Sequence, residues 1–281
     1  MKKSGSTKLL LPVIIWMSVF FLFPLLLVLA VSFMTRGQYG DVSFKLTGSN
    51  YLRLIDPMYL KIFINSIIIS LLTTIVCLFM GYPFAYIISR MNKKIRPYLM
   101  MLIILPFWTN SLVRTYAWII LLRTEGLINT YLINFGIINE PLKLLYSNGA
   151  VLIGMVYIMF PFMVMPIYTS VEKLDETLLE AASDLYASKM KAFLNITWPL
   201  TKPGVMAGCL LVFVPTLGLF FIPDLMGGSK IVLISNLIKN QFLTARDWPF
   251  GTAISVSLMA VMLIIIFVYT KKGGKIGGEV I

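Results

Sequence analysis

Long apolar runs separated by short polar connections dominate this chain. Six can be drawn, at about 9–34, 62–89, 97–121, 149–171, 204–226 and 250–270. Each is long enough for a tilted helix to cross about 30 Å of hydrocarbon. The runs are continuous rather than alternating, which argues for helices and against the strands of a membrane barrel. Backbone N–H and C=O groups facing lipid must be satisfied within their own segment. The expected fold class is therefore an all-α polytopic membrane protein with about six transmembrane helices, a single domain over residues 1–281.

The first run follows Lys2, Lys3 and Lys8 and so resembles a signal peptide. From Leu9 to Met34 it is too long for a signal core, and no small-x-small cleavage site follows. A retained first span is the expectation.

Charge changes the picture next. The formal net charge is +12, yet the cations gather at the ends of apolar runs. That distribution sets membrane orientation and does not point to nucleic acid. The basic segments are the N-terminal tail, the connection with Arg90, Lys93, Lys94 and Arg96, and the tail with Lys271, Lys272 and Lys275. Placing them inside puts both termini and residues 172–203 in the cytoplasm. Residues 36–61, 122–148 and 227–249 then face outward. Arg36, Arg53, Lys143 and Arg246 lie on that side, so the bias is one of density.

Composition narrows the chemistry. Hydrophobic residues make up 58% of the chain and charged residues 13%, against about 25% charged in soluble domains. There is no histidine, which removes imidazole general bases, histidine metal sites and a Ser-His-Asp triad. Cys77 and Cys209 sit in apolar runs and form no CxxC pair. No catalytic or metal-binding residue is expected, and a membrane enzyme has no clustered nucleophile or base to work with.

The most informative polar stretch is residues 171–204. Glu172, Glu176, Glu180 and Asp184 recur at four-residue spacing, which predicts one acidic stripe along one helix face. Val171, Leu174, Leu178, Ala182 and Leu185 would line the other face. Ser188 is a candidate N-cap for a short second helix to about Ile196, offering Met190, Phe193 and Leu194. Apolar groups rimmed by charge fit a docking surface for another protein, or a helix folded back on the bilayer.

This stretch resembles the coupling loop of ABC importer permeases. That pattern is Glu-Ala-Ala, three residues, Gly, nine residues, Ile, one residue, Leu-Pro. Glu180, Ala181, Ala182, Ile196 and Pro199 match it in register. Trp198 replaces the usual Leu, and Tyr186 replaces the Gly. If that glycine turns the chain with a positive φ, a tyrosine there is strained.

The resemblance implies a type I importer permease architecture in the bacterial inner membrane. It implies coupling to an ATP-binding subunit, acting as a dimer, through Glu180, Ala181, Ala182, Tyr186, Ser188, Met190, Phe193, Leu194, Ile196 and Pro199. ATP and Mg would sit on that partner, leaving this chain without a cofactor. No GxxxxGK[ST] run is present, and Gly227-Gly228-Ser229-Lys230 is too short for one. A second permease and a periplasmic or lipid-anchored binding protein complete the implied partners.

Further stretches carry a nearly full-length likeness to the first (B-type) permease subunits of bacterial spermidine/putrescine importers. They are LPFWTNSLVRTYAW (105–118), YIMFPFMVMPIYTSVEKLD (157–175), DLMGG (224–228) and RDWPFG (246–251). The implied substrate is a polyamine, with another small solute of the same importer class as the alternative. A polycation needs carboxylates and aromatic faces along its path. Asp224, at the end of an apolar run, is the acidic candidate, or else an interfacial acid paired with Lys230 or Arg246. Trp108 and Asn110 are candidates in the third run, with an interfacial aromatic belt as the other role for Trp108. Tyr51 lies in the first outer loop and could touch substrate or binding protein. Arg114 suits a structural or gating role, paired with an acid of the partner permease or snorkelling to the interface. An ion-coupled secondary transporter is the rival, but the central parts of the first four runs hold no acid.

Overall fold

The structure is a computed structural model that describes residues 4–38 and 40–271. Lys2, Lys3, Lys272 and Lys275 of the basic tails lie outside those residues. Five helical runs are long and apolar enough to cross a membrane: Leu11–Ser32, Pro57–Arg90, Asn148–Glu172, Lys189–Gly218 and Trp248–Lys271. A sixth apolar run, Arg96–Trp108, is shorter. The chain divides into two compact units, residues up to 61 with 237–264, and residues 62–236 with those from 265 on.

In the first unit, α1 (Ser4–Met17) passes through a π-turn at Ser18–Leu22 into α2 (Phe23–Ser32). A hairpin follows, with β1 (Met34–Arg36) antiparallel to β2 (Val42–Leu46) and Thr35 opposite Ser43. The short α3 (Ser49–Arg53) is tied to it by Asn50, whose buried amide donates to the carbonyls of Ser32 and Met34. From residue 237, α13 (Ile234–Leu243) leads to α14 (Trp248–Lys271), which belongs to this unit as far as residue 264.

The start of α14 is held by Asp247. Its Oδ1 accepts from the Phe250 N–H at 3.2 Å, and its Oδ2 meets Arg53 at 2.9 Å. The Arg53 guanidinium lies 3.9 Å over the Phe250 ring. The Asp247 side chain is only 5% exposed while that of Arg53 is 44% exposed, so losing the acid strands a partly hydrated cation. Asp247→Ala is expected to cost about 2–3 kcal/mol, a lost cap plus a half-buried ion pair. A thermal melt of the detergent-solubilised chain checks it, and Asp247→Asn should lose about half as much because it still caps.

The second unit holds α4 (Pro57–Arg90) from residue 62, α5 (Arg96–Ile104), α6 (Ser111–Leu122), α7 (Leu127–Asn134), α8 (Asn148–Glu172), α9 (Thr177–Asp184), α10 (Lys189–Ala192), α11 (Trp198–Gly218) and α12 (Phe221–Met226). Its core is the α8–α11 contact, with Met155, Met163, Val164, Ile167 and Val212 fully buried.

Two expected spans differ from the structure. The segment at 97–121 is not one helix. α5 tightens into a 3₁₀ turn at Leu105–Trp108, Thr109 is extended, and the Asn110 side chain caps α6 by accepting from the Leu112 N–H. Pro106 removes a backbone donor just where an Asn stands ready to start a new helix. The segment at 204–226 begins earlier and ends earlier, since α11 stops at Gly218. Pro223 in α12 cannot donate back to Leu219. The freed carbonyl is used, since Ser235 donates to Leu219 O at 2.9 Å, and Asn236 donates to Phe220 O at 2.8 Å, which also takes the Asp224 N–H. Such side-chain partners are what permit a broken helix at membrane depth.

Candidate functional site

The loop between α8 and α11 carries the motif. The four acids do not share one helix. α8 ends at Glu172, and the Asp175 carboxylate accepts from the Thr177 N–H at 3.0 Å, opening α9 afresh. The break splits the acids into two pairs. Glu176 meets Arg90 at 3.2 Å, while Glu172 accepts from the Tyr168 hydroxyl and lies 3.8 Å from Arg96. Glu180 and Asp184 are exposed and form no ion pair among the described residues. On the apolar face, Val171, Leu174 and Ala182 are buried, whereas Leu178 and Leu185 stay exposed. Ala181 is exposed beside Glu180.

α9 ends in a Schellman turn. The Ala187 N–H donates to Ala182 O and the Tyr186 N–H to Ser183 O, both at 2.9 Å. The motif requires a left-handed residue at the position after the cap, normally glycine. Tyr186 occupies it with φ +55° and is 98% exposed. The turn geometry is thus kept and the tyrosine bears the strain. Tyr186→Gly is expected to stabilise the chain by about 1 kcal/mol, raising its thermal midpoint by roughly 2 °C.

Ser188 caps α10 by accepting from the Lys191 N–H at 3.4 Å. α10 continues through a π-turn at Phe193–Thr197 directly into α11, so the short helix and the span form one helical rod. Met190 and Leu194 are exposed on it. Phe193 is not part of that surface, because it turns inward edge-on to Tyr82 at 5.8 Å and Tyr86 at 6.4 Å. Trp198 packs on Tyr82 at 5.5 Å, and the Tyr82 hydroxyl shares a 2.9 Å hydrogen bond with Thr201. Ile196 is half-buried and Pro199 exposed. The sequence reading missed this clamp; Tyr82 and Tyr86, one helical turn apart and just before Arg90, were its only signal.

The pathway candidates are spread out. Asp224 lies on α12 and accepts a hydrogen bond from Asn236, whose side-chain oxygen also takes the Leu233 N–H. α12 packs against α6, the helix that Asn110 caps. Trp108 ends the 3₁₀ turn and is 80% exposed. Tyr51 belongs to the first unit, where its hydroxyl bonds Ser32 Oγ at 2.7 Å and its ring leans on Phe33.

Comparison with known proteins places this geometry. Residues 78–271 match the family described as binding-protein-dependent transport system inner membrane component. The chain is 49% identical over 91% of its length to the spermidine/putrescine transport system permease protein PotB of Salmonella typhimurium (strain LT2), covering 89% of that protein. Against PotB of Escherichia coli K12 the identity is 48%, covering 91% and 93% of the two chains. The inner membrane ABC transporter permease protein YdcU of Escherichia coli K12 is 28% identical over 96% of this chain and 90% of its own. A chain of the bacterial alginate ABC transporter crystallised with an alginate-bound periplasmic protein shares the fold at 17% identity, with a TM-score of 0.79 over 96% and 95% of the two chains. This chain therefore belongs to the binding-protein-dependent transport system inner membrane component family, as a permease subunit of an ABC transporter.

Proposed function

We propose that the chain is the membrane permease of an ATP-driven importer carrying polyamines, spermidine and putrescine, across the bacterial inner membrane. The observation that carries this is the 48–49% identity, over 91% of the chain, to two PotB permeases. The chain holds no ATP site of its own; a separate ATP-binding subunit with Mg supplies the energy, and a second permease and a polyamine-binding protein complete the assembly. Glu180, Ala181, Tyr186, Met190 and Leu194 form the exposed surface that meets the ATP-binding subunit. Ala182, Ser188, Phe193, Ile196 and Pro199 shape and anchor that surface.

Motion applied at α10 passes along the rod into α11, while the Tyr82 clamp carries it to α4. The ion pairs Arg90–Glu176 and Arg96–Glu172 put the basic 90–96 connection and the coupling loop at the same end of the second unit. That supports one cytoplasmic side for both, and with it cytoplasmic termini. Along the path, the Asp224 carboxylate and the open Trp108 indole suit an ammonium group, with Asn110 between them in sequence. Tyr51 offers its ring, since its hydroxyl is already engaged.

The test is ATPase activity of the reconstituted complex of this chain with its ATPase, second permease and binding protein. Spermidine or putrescine should stimulate turnover where sugars and amino acids do not. Stimulation by another solute alone would overturn the substrate and keep the permease. Failure to assemble with any ATPase subunit would overturn the role of the loop.

A further inference from the structure

One cavity in the second unit has no part in the loop or the candidate pathway. It measures about 470 Å³, within the usual range for a ligand pocket. Its walls are apolar side chains of α4, α5 and α8, among them Met80, Ile103, Val156 and Phe160, with Phe107 from the 3₁₀ turn. Met80 and Leu102 are exposed, so the cavity opens on the outer surface of the chain. In an apolar helical bundle that surface faces lipid or another membrane chain.

Arg114 of α6 is the only charged residue in this lining. Its guanidinium lies 4.8 Å from the Phe107 ring centre and 5.8 Å from that of Tyr157. Its Nε is buried without a hydrogen-bond acceptor, and it joins no ion pair among the described residues. Ring faces attract the cation but are at best weak acceptors, so the buried Nε–H has no strong partner among the described residues. A guanidinium does not neutralise itself by losing a proton, so the buried Nε–H favours an acceptor brought from outside the chain. The occupant is therefore anionic at one end and apolar along the rest. A polyamine has the wrong sign, and inorganic phosphate would leave the walls unfilled. A carboxylate side chain of the second permease would reach Arg114 but is too short to line the cavity itself.

We propose that this cavity binds an anionic phospholipid, its phosphate on Arg114 and one acyl chain along Met80, Ile103, Phe107 and Phe160. The planar fork of arginine suits two phosphate oxygens at once. The site is independent of the transported substrate and would tie the permease to the charge of its membrane.

The experiment uses the assembled complex, delipidated in detergent and then titrated with dioleoylphosphatidylglycerol, dioleoylphosphatidylcholine or inorganic phosphate. Native mass spectrometry and the thermal midpoint are read in parallel. Wild type should retain phosphatidylglycerol at least about 10-fold better than phosphatidylcholine, with a higher midpoint. Arg114→Gln should abolish that preference, and Ile103→Trp, which fills the cavity and keeps the charge, should lose both lipids. Equal retention of the two lipids by wild type would overturn the proposal, and this reading needs no variant to fold. Unchanged preference in Arg114→Gln would also overturn it, as would phosphate alone reproducing the shift. A photocross-link from position 103 to the second permease that persists with saturating phosphatidylglycerol would assign the cavity to protein contact instead.

Discussion

Gly204→Leu will leave little folded chain to purify. α8 and α11 form the densest helix contact of the second unit, and Gly204 lies within it, against Pro166 and Ser170. A Cβ at this position would collide with Ser170 Oγ and come within 2.6 Å of the Pro166 carbonyl oxygen. The serine could rotate away. The carbonyl belongs to the α8 backbone and cannot move without shifting the helix. Gly208, one turn on, is more forgiving: a Cβ would meet Met163 Sδ at 2.8 Å and Met163 O at 3.1 Å. The thioether is flexible and yields cheaply. The order of effects is therefore fixed. Gly208→Ala should cost about 1 kcal/mol, Gly204→Ala about 2–3, and Gly204→Leu more than either. Fluorescence-detected size exclusion of detergent extracts ranks the three, and a monodisperse peak of normal height for Gly204→Leu would show that the helices can part without loss.

Gly204 and Gly208 have the spacing of a small-residue pair, which permits close helix packing but also arises often by chance in apolar segments. The apolar runs were visible in the sequence, and they report the solvent rather than the tertiary fold. The breaks were not visible for a different reason. Pro83, Pro161, Pro166, Pro203 and Pro215 all lie inside continuous helices, whereas the segments around Pro106 and Pro223 are interrupted. Proline weakens a helix by a similar amount everywhere, so the outcome depends on partners for the freed backbone groups. Asn110 is adjacent in sequence, but Ser235 and Asn236 lie 16 residues from the carbonyls they satisfy. Likewise Phe193 had the pattern of an exposed apolar residue, and only the fold brings Tyr82 and Tyr86 against it. Glu172 and Glu176 had the spacing of a shared stripe until Asp175 restarted the helix. The motif located the loop; long-range contacts decided which of its residues stay exposed.

Glu180→Lys will uncouple transport while leaving the chain folded. The reason lies in the contrast among the acids of the loop. Glu172 and Glu176 are engaged with Arg96 and Arg90, so reversing either charge sets two cations side by side within the chain. Glu180 has no such neighbour in an ion pair, and it stands exposed on α9 two turns before the strained Tyr186 turn. Reversing its charge therefore costs the isolated chain little, at most about 1 kcal/mol for an exposed acid in the first turn of a helix. At a contact with the ATP-binding subunit the same change turns attraction into repulsion, and like charges facing across an interface cost several kcal/mol. Uptake by the reconstituted complex should fall at least about 10-fold, since 1.4 kcal/mol already gives that factor. Membrane insertion should stay at the wild-type level and the thermal midpoint within about 2–4 °C of it. Glu180→Gln, which keeps the shape and drops the charge, should fall between the two. A normal uptake rate in Glu180→Lys would move the docking contact off α9 and onto Met190 and Leu194 of the rod. The acidic residue would then serve only the local helix, near whose N-terminus a carboxylate is favourable by up to about 1 kcal/mol.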